Sequence, residues 1–286
     1  MKLFNEQRSY LSNLKTRTKY WVVGSQTLGQ AWYYLEGVRN FPFVDDPSGP
    51  PTIFHITQYK AGSQWIYNIL QKCAADLLIE PKVEVVHFLH DPILPGKIYP
   101  TIYLPKWLFS RKRIPARSHR FIVFRDLRDI LVSAYFSLRQ SHSEIGAVGY
   151  FRSELSKNDF EQGMLWIIRH WLWWNASVCE SWISSGEPWI KYEDLLENDA
   201  EILERTLLEQ CQLDIDRVAL RRAIQECRFE SISGGRKRGE EDAESHFRKG
   251  ISGDWRRFFT PRIKSAFKKR YGELLIAAGY EDGLDW

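Results

Sequence analysis

Apolar and polar positions follow two periods along this chain, and the points where one gives way to the other place its elements. Thr52-Ile-Phe-His-Ile-Thr57 is a short β-rich run bounded by turn formers, which reads as a buried strand. A loop containing Gly62 follows it. From Gln64 to Leu78 apolar residues then recur at helical spacing, at Trp65, Ile69, Leu70 and Leu77. The same order of strand, loop and helix returns at His119–Phe124 and Asp126–Leu138. In the second helix Ile130, Leu131 and Ala134 share a face, and Asp126 and Asp129 suit a first turn where backbone dipoles favour negative charge. The pattern predicts one long helix over Phe160–Ser184, a third strand over Pro188–Tyr192, and helices over 199–211, 216–226 and 262–278. Ahead of these, Gln26–Gly37 reads as a short aromatic helix, and residues 1–50 read as an accessory arm ended by the turn-rich Asp45–Pro51. Strands alternating with helices imply an α/β domain, with a central, mainly parallel sheet flanked by helices.

Composition is compatible with that picture. The chain has 286 residues, ordinary for one α/β domain with a large sheet, and its 44% apolar and 27% charged residues supply a packed core and a charged surface. The net charge of +4 lacks the strong basic bias of a nucleic-acid binder. The densest basic cluster is Arg111, Lys112, Arg113, Arg117, His119 and Arg120. It reads as a solvated loop first and as a contact for an anionic ligand or lipid second. Trp166, Trp171, Trp173 and Trp174 would wrap most of one helix, as plain core or as the wall of an apolar pocket. Cys73, Cys179, Cys211 and Cys227 form neither a Cys-x-x-Cys pair nor a zinc spacing, so free thiols in a reducing compartment are expected. Residues 1–20 lack an apolar signal core, and no window approaches the ~18 apolar residues of a membrane span.

Three segments carry candidate chemistry. In Tyr59-Lys-Ala-Gly-Ser-Gln-Trp65 a strand ends and a helix begins, where free backbone amides attract anions. Gly62 admits a close approach, Lys60 adds charge, and Ser63 offers a hydroxyl. The segment is not a Walker A loop, because Lys60 precedes the glycine. Arg125 closes the second strand, at the end where α/β folds place ligand groups, and Ser133 lies about two turns into the helix that follows. Arg248-Lys-Gly250 through Gly253-Asp-Trp255 is a flexible cationic loop. Taken singly, each also reads as an ordinary loop or helix start.

Together the segments resemble the PAPS-dependent sulfotransferase family, its cytosolic type in particular, where PAPS is 3′-phosphoadenosine-5′-phosphosulfate. The family's phosphosulfate loop is similar to residues 59–65 with its proline missing. Its 3′-phosphate motif, Arg-(Asn/Asp)-x-(Lys/Arg)-Asp-x-x-x-Ser, matches Arg125 through Ser133, and its C-terminal Arg-Lys-Gly-x-x-Gly-Asp-Trp matches Arg248 through Trp255 unchanged. A family Tyr-Glu-Asp is Tyr192-Glu193-Asp194, and order and spacing agree from about 52 to 260.

The resemblance implies a P-loop-like sulfotransferase domain over 51–286 and an enzyme that transfers the sulfuryl group of PAPS to a hydroxyl or amine of a small molecule, releasing PAP. It implies no metal, no nucleic-acid partner, and, without a membrane anchor, a cytoplasmic location. Lys60 would stabilise the bridging oxygen, while the amides of Ala61, Gly62, Ser63 and Gln64, with the Ser63 hydroxyl, hold the 5′-phosphate. Trp65 and Phe229 would flank adenine, which Tyr192 also contacts. Arg125, Ser133, Arg248 and Gly250, with Lys249 beside them, would bind the 3′-phosphate.

Two departures stand out. The family's catalytic His in Lys-Thr-His-Leu-Pro becomes Tyr103 in Thr101-Ile-Tyr-Leu-Pro105, 22 residues before Arg125. An ordinary Tyr is a poor base near neutrality. Tyr103 then orients the acceptor while His87, His90, Glu84 or Glu80 takes the proton, or the acceptor needs little base, or the protein binds PAPS or PAP without turnover. A kinase-like phosphoryl transferase is a further alternative, although a complete Walker A and a magnesium carboxylate are not seen. The family's dimer motif is also degraded: Arg256 and Thr260 fit, but Pro261 and Ser265 do not, which leaves the oligomeric state open.

Overall fold

The structure is a computed structural model, which describes residues 24–82, 87–141, 147–242, 244–245 and 247–286. Its centre is a four-stranded, all-parallel sheet in the order β2-β1-β3-β4, with β1 at Thr52–Thr57, β2 at Ile98–Ile102, β3 at Ser118–Phe124 and β4 at Ile190–Lys191. Every residue of β1 is buried, as a central strand covered on both faces requires. Successive side chains point to opposite layers. Ile53, Phe121 and Val123 pack with Trp65, Ile66 and Ile69 of helix α1 (Ser63–Cys73) and with Leu220 and Ile224 of Arg217–Glu226. Phe54, Ile56, Ile122 and Phe124 pack on the other face with Trp173, Val178 and Trp182 of Leu172–Ile183. A third, helix-on-helix cluster joins helix α2 (Leu127–Phe136) to Phe160–His170 and Pro261–Ala277. The α/β expectation therefore holds.

Several details differ from the sequence reading. The predicted helix over 160–184 breaks at Trp171, whose φ of −123° is not helical. The apolar residues surround the segment on all sides and conceal that break. Strand β2 was not predicted. It carries Pro100, which an edge strand tolerates and which hides the strand from a propensity reading. The third strand shrinks to Ile190–Lys191, because Tyr192 already opens a helix, Tyr192–Glu204. Trp173 and Trp174 are core, whereas Trp166 and Trp171 are only partly buried. Among the described residues no helix is long and apolar enough to cross a membrane.

The arm and the basic cluster explain each other. Gln26–Glu36 is helical, and Tyr33 packs on Trp174 with centroids 4.2 Å apart. The basic run is not a solvated loop. Lys112 is 5% exposed, and its ammonium donates to the carbonyls of Arg39 at 2.5 Å, Leu89 at 3.0 Å and Asp91 at 2.7 Å. Arg111 donates to the Tyr34 carbonyl, Arg113 lies over the Phe43 ring, and Arg117 reaches the Pro47 carbonyl. These cations clasp residues 34–47 to the domain. Pro261 and Thr260, the misfits and fits of the dimer motif, start a helix: Thr260 caps it by accepting from the Ile263 amide, and Pro261 takes the first helical position.

His55 is fully buried in β1 and stacked on Phe121 at 4.5 Å. Its Nδ1 is 2.5 Å from the carbonyl of Pro100, where the β1–β2 register slips by one residue. Its Nε2 has no partner among the described residues, and burial lowers the pKa from 6.5 to about 4. Folding therefore keeps His55 neutral, and stability is lost as pH falls from 6.5 towards 4, by up to about 3 kcal/mol in all. Urea denaturation at pH 7, 5.5 and 4.5 should show this loss, and His55→Phe should flatten it. An unchanged slope in the variant would refute the assignment.

Candidate functional site

Three loops meet at the carboxyl ends of β1, β3 and β4, and each is shaped by local backbone constraints. After β1, Lys60 has φ +69° and Gly62 φ +80°. The positive φ at a lysine is costly and is maintained by its surroundings. Gly62 must be glycine for a second reason, since a Cβ there would lie 2.7 Å from the Tyr192 ring. Helix α1 begins at Ser63, so the amides that open it face the loop. The amide of Ala61 is turned inward onto the Gln58 carbonyl at 3.3 Å, and Ala61 is fully buried, so of the residues read as nucleotide-contacting it alone does not line the cavity between these loops.

After β3, Arg125 bridges the other two loops. One guanidinium nitrogen donates to the Lys60 carbonyl and another to the Ile251 carbonyl, each at 3.1 Å. The guanidinium lies 4.7 Å over the Tyr192 ring, and its Nε is buried without a partner among the described residues. The C-terminal loop is moored from behind by Asp129, which accepts from the amides of Gly253 at 2.6 Å and Trp255 at 3.0 Å. Asp254 holds both cations of that loop, with Arg248 and Lys249 each 2.6 Å from its oxygens. Gly250, with φ +66°, packs so closely on Phe229 that a Cβ would meet the ring at 2.4 Å. Arg128 is no surface arginine. It is 2% exposed, paired with Asp126 and Glu281 and sandwiched between Trp255 and Trp286.

These loops enclose a cavity of about 270 Å³. Lys60, Gly62, Ser63, Gln64, Trp65, Arg125, Ser133, Tyr192, Phe229, Arg248, Lys249 and Gly250 all line it. So does Arg238, which the sequence reading did not single out and which follows a glycine-rich turn. Among the described residues no Asp, Glu or His lines it. The Lys60 ammonium donates to Ser137 Oγ at 3.0 Å, with no carboxylate paired to it among the described residues. Ser137 also escaped the sequence reading. It lies four residues after Ser133 and so shares its helix face, which was the available signal. Burial, then the charges of Arg125 and Arg248, lower the Lys60 pKa to about 8.

Tyr103 stands between this cavity and a second one of about 310 Å³, lined by Glu80, Lys82, Phe88, Asp91 and Thr101 among others. Its hydroxyl donates to Ser63 Oγ at 2.8 Å, its ring stacks on Tyr59 at 4.1 Å, and the Trp174 indole donates to its carbonyl at 2.8 Å. Burial raises the pKa values of both phenols. The remaining candidate bases are dispersed. His90 is half-buried on a single-turn helix, His87–His90, and lines neither cavity. Glu80 lines the second cavity and accepts from the Tyr67 hydroxyl at 2.8 Å. Glu84 and the side chain of His87 lie outside the described residues. Among the described residues no group of three or more His, Cys, Asp or Glu is placed to hold a metal ion.

The cavity thus sets cations and hydroxyls beside aromatic faces. A sequence model of the family described as sulfotransferase domain matches residues 104–279. The chain is 23% identical over 278 residues to sulfotransferase 1E1 of Cavia porcellus, covering 85% of this chain and 89% of that protein. It is 24% identical over 281 residues to sulfotransferase 2A6 of Mus musculus, covering 87% and 91%. Its fold is similar to that of mouse sulfotransferase SULT7A1 complexed with PAP, with a TM-score of 0.56 and 14% identity over 82% of this chain and 89% of that one.

An anion in the cavity favours charged Lys60, so anion binding should be level below pH 8 and weaken above it by up to about tenfold per pH unit. Titration with sulfate, which does not itself titrate there, measures this between pH 6.5 and 9.5. Lys60→Met should remove the break, and a break persisting in that variant would assign it to another group.

Proposed function

On the premise that the chain belongs to the sulfotransferase domain family, we propose that it transfers the sulfuryl group of PAPS to a hydroxyl or amine of a small-molecule acceptor and releases PAP. The observation that carries this reading is the convergence of Lys60, Arg125 and Arg248 on one cavity whose described lining holds no carboxylate. PAPS fits the residues present. Arg125 has an unused buried Nε, the indole nitrogen of Trp65 is likewise unpartnered among the described residues, and two glycines let rings and backbone close on the site. Trp65 and Phe229 offer apolar faces for adenine, and Arg125, Ser133, Arg248 and Gly250 the 3′-phosphate contacts.

The transfer is an in-line displacement. The acceptor's lone pair forms a bond to sulfur as the bond from sulfur to the 5′-phosphate oxygen breaks, and that oxygen keeps the electron pair. Protein groups that position the reactants and meet the developing charge supply most of the catalysis. Lys60 stabilises the leaving oxygen, and Ser137 holds the ammonium in place until the charge develops. The second cavity, across Tyr103, is the place for an apolar or aromatic acceptor. A cytosolic setting is part of this proposal. Tyr103 in place of the family's His supports a rival reading, a PAPS- or PAP-binding protein without turnover.

Calorimetric titration with PAP, 5′-AMP and ATP separates the readings. PAP should bind at least about a hundredfold tighter than either, roughly 2.7 kcal/mol. Arg125→Ala should weaken PAP by about 1.5–3 kcal/mol, as for a hydrogen bond to a charged group, and 5′-AMP much less. Arg125 also ties two loops together, so equal losses for both nucleotides would mean that it serves the scaffold and not the 3′-phosphate. Tighter binding of ATP would overturn the proposal. PAPS hydrolysis abolished by Lys60→Ala would remove the non-catalytic rival.

A further inference from the structure

Resting on that reading, we infer that Tyr103 serves the sulfuryl donor as a hydrogen-bonding group and takes no proton from the acceptor, so that this chain sulfates acceptors that supply their own nucleophile: phenols that ionise readily, and neutral amines. The geometry at Tyr103 carries this. Three contacts fix its position: the ring on Tyr59 at 4.1 Å, the carbonyl under the Trp174 indole at 2.8 Å, and the hydroxyl on Ser63 Oγ at 2.8 Å. The hydroxyl is thus committed to the loop that carries Lys60 and opens helix α1, although the ring also walls the second cavity. When Ser63 turns to the 5′-phosphosulfate, a donating hydroxyl 2.8 Å away follows it towards the same anion.

No described group replaces the base. Among the described residues the donor cavity is lined by cations, hydroxyls, phenols and indoles but by no Asp, Glu or His. In the second cavity Asp91 is paired with Lys82 at 2.6 Å, and Glu80 is engaged by Tyr67 at 2.8 Å. The raised pKa of Tyr103, from burial, agrees, since a phenol that stays protonated at neutral pH is not available to take the acceptor's proton. The chemistry balances without a base. A phenolate attacks with no proton to lose. A neutral amine forms its nitrogen–sulfur bond and releases its proton to water. An aliphatic alcohol must lose its proton during attack and finds no described group to receive it.

The test uses the full chain, PAPS, a series of para-substituted phenols of graded acidity, an aromatic and an aliphatic amine, and a primary alcohol of similar size. For phenols, kcat/KM should rise about tenfold per pH unit up to each phenol's own pKa, so that the break moves with the acceptor. The alcohol should be turned over at least about a hundredfold more slowly than the most acidic phenol. Tyr103→Phe should lower kcat about ten- to hundredfold for every acceptor alike and leave the position of each break unchanged. Tyr103→His should gain activity on the alcohol relative to the phenols. A break near neutrality that is the same for every acceptor, or equal rates for alcohol and phenol, would overturn the inference. So would PAP binding without turnover of any phenol or amine, which leaves the donor-site reading standing. Failure to bind PAP at all instead sinks that reading.

Discussion

The site depends on holding like charges together in a partly buried space. Lys60, Arg125 and Arg248 repel one another, and burial first and that repulsion second depress the Lys60 pKa. A cavity meant to receive a polyanion cannot neutralise them with carboxylates along its lining. The fold resolves this by placing the acids behind the wall. Asp254 pairs with Arg248 and Lys249 from the loop's own far side, and Asp129 accepts backbone amides of that loop and sits 3.9 Å from Arg125. Arg125 spends its donors on two carbonyls that tie the first and third loops to β3. Lys60 is left with a hydroxyl, which orients the ammonium without cancelling its charge. The net field in the cavity remains positive while each cation has a defined position.

That arrangement explains why the cationic loops were legible in the sequence when the rest was less so. Strands β1 and β3 are dense in β-formers and end abruptly at Thr57 and Phe124, and the residues after them are held by short-range rules: a left-handed glycine, a helix start, an aspartate cap. Local rules of that kind survive in a single sequence. Ser137 was within reach, one helical turn from Ser133, but only the fold brings it to Lys60. Strand β2 was hidden by Pro100, whose carbonyl is taken up by the side chain of His55. The break at Trp171 was hidden because apolar residues on all sides leave no phase to lose.

The basic cluster was misread for a different physical reason. A run of cations looks the same in sequence whether water or protein satisfies it. Lys112 is satisfied by carbonyls contributed from residues 39, 89 and 91, and its neighbours by residues 34, 43 and 47. Burying an ammonium is tolerable only when its donors are filled, and three carbonyls fill them. The cluster therefore specifies where the arm lies, and no ligand contact is needed to account for it.

With the arm in place, the two sides of the site are built from different materials. The cationic side stands on the carboxyl ends of a parallel sheet and on helix starts. The opposite side is aromatic: Tyr33 on Trp174, Trp174 on the Tyr103 carbonyl, and Tyr103 on Tyr59. Tyr103 belongs to both, a stacked ring on one side and a hydroxyl bound to Ser63 on the other. A histidine at that position has a nitrogen with which to take a proton from an acceptor. The phenol instead ties the aromatic wall to the loop after β1. On the proposed reading, reactivity comes from the acceptor, and the aromatic wall offers it shape and ring contacts in place of a basic nitrogen.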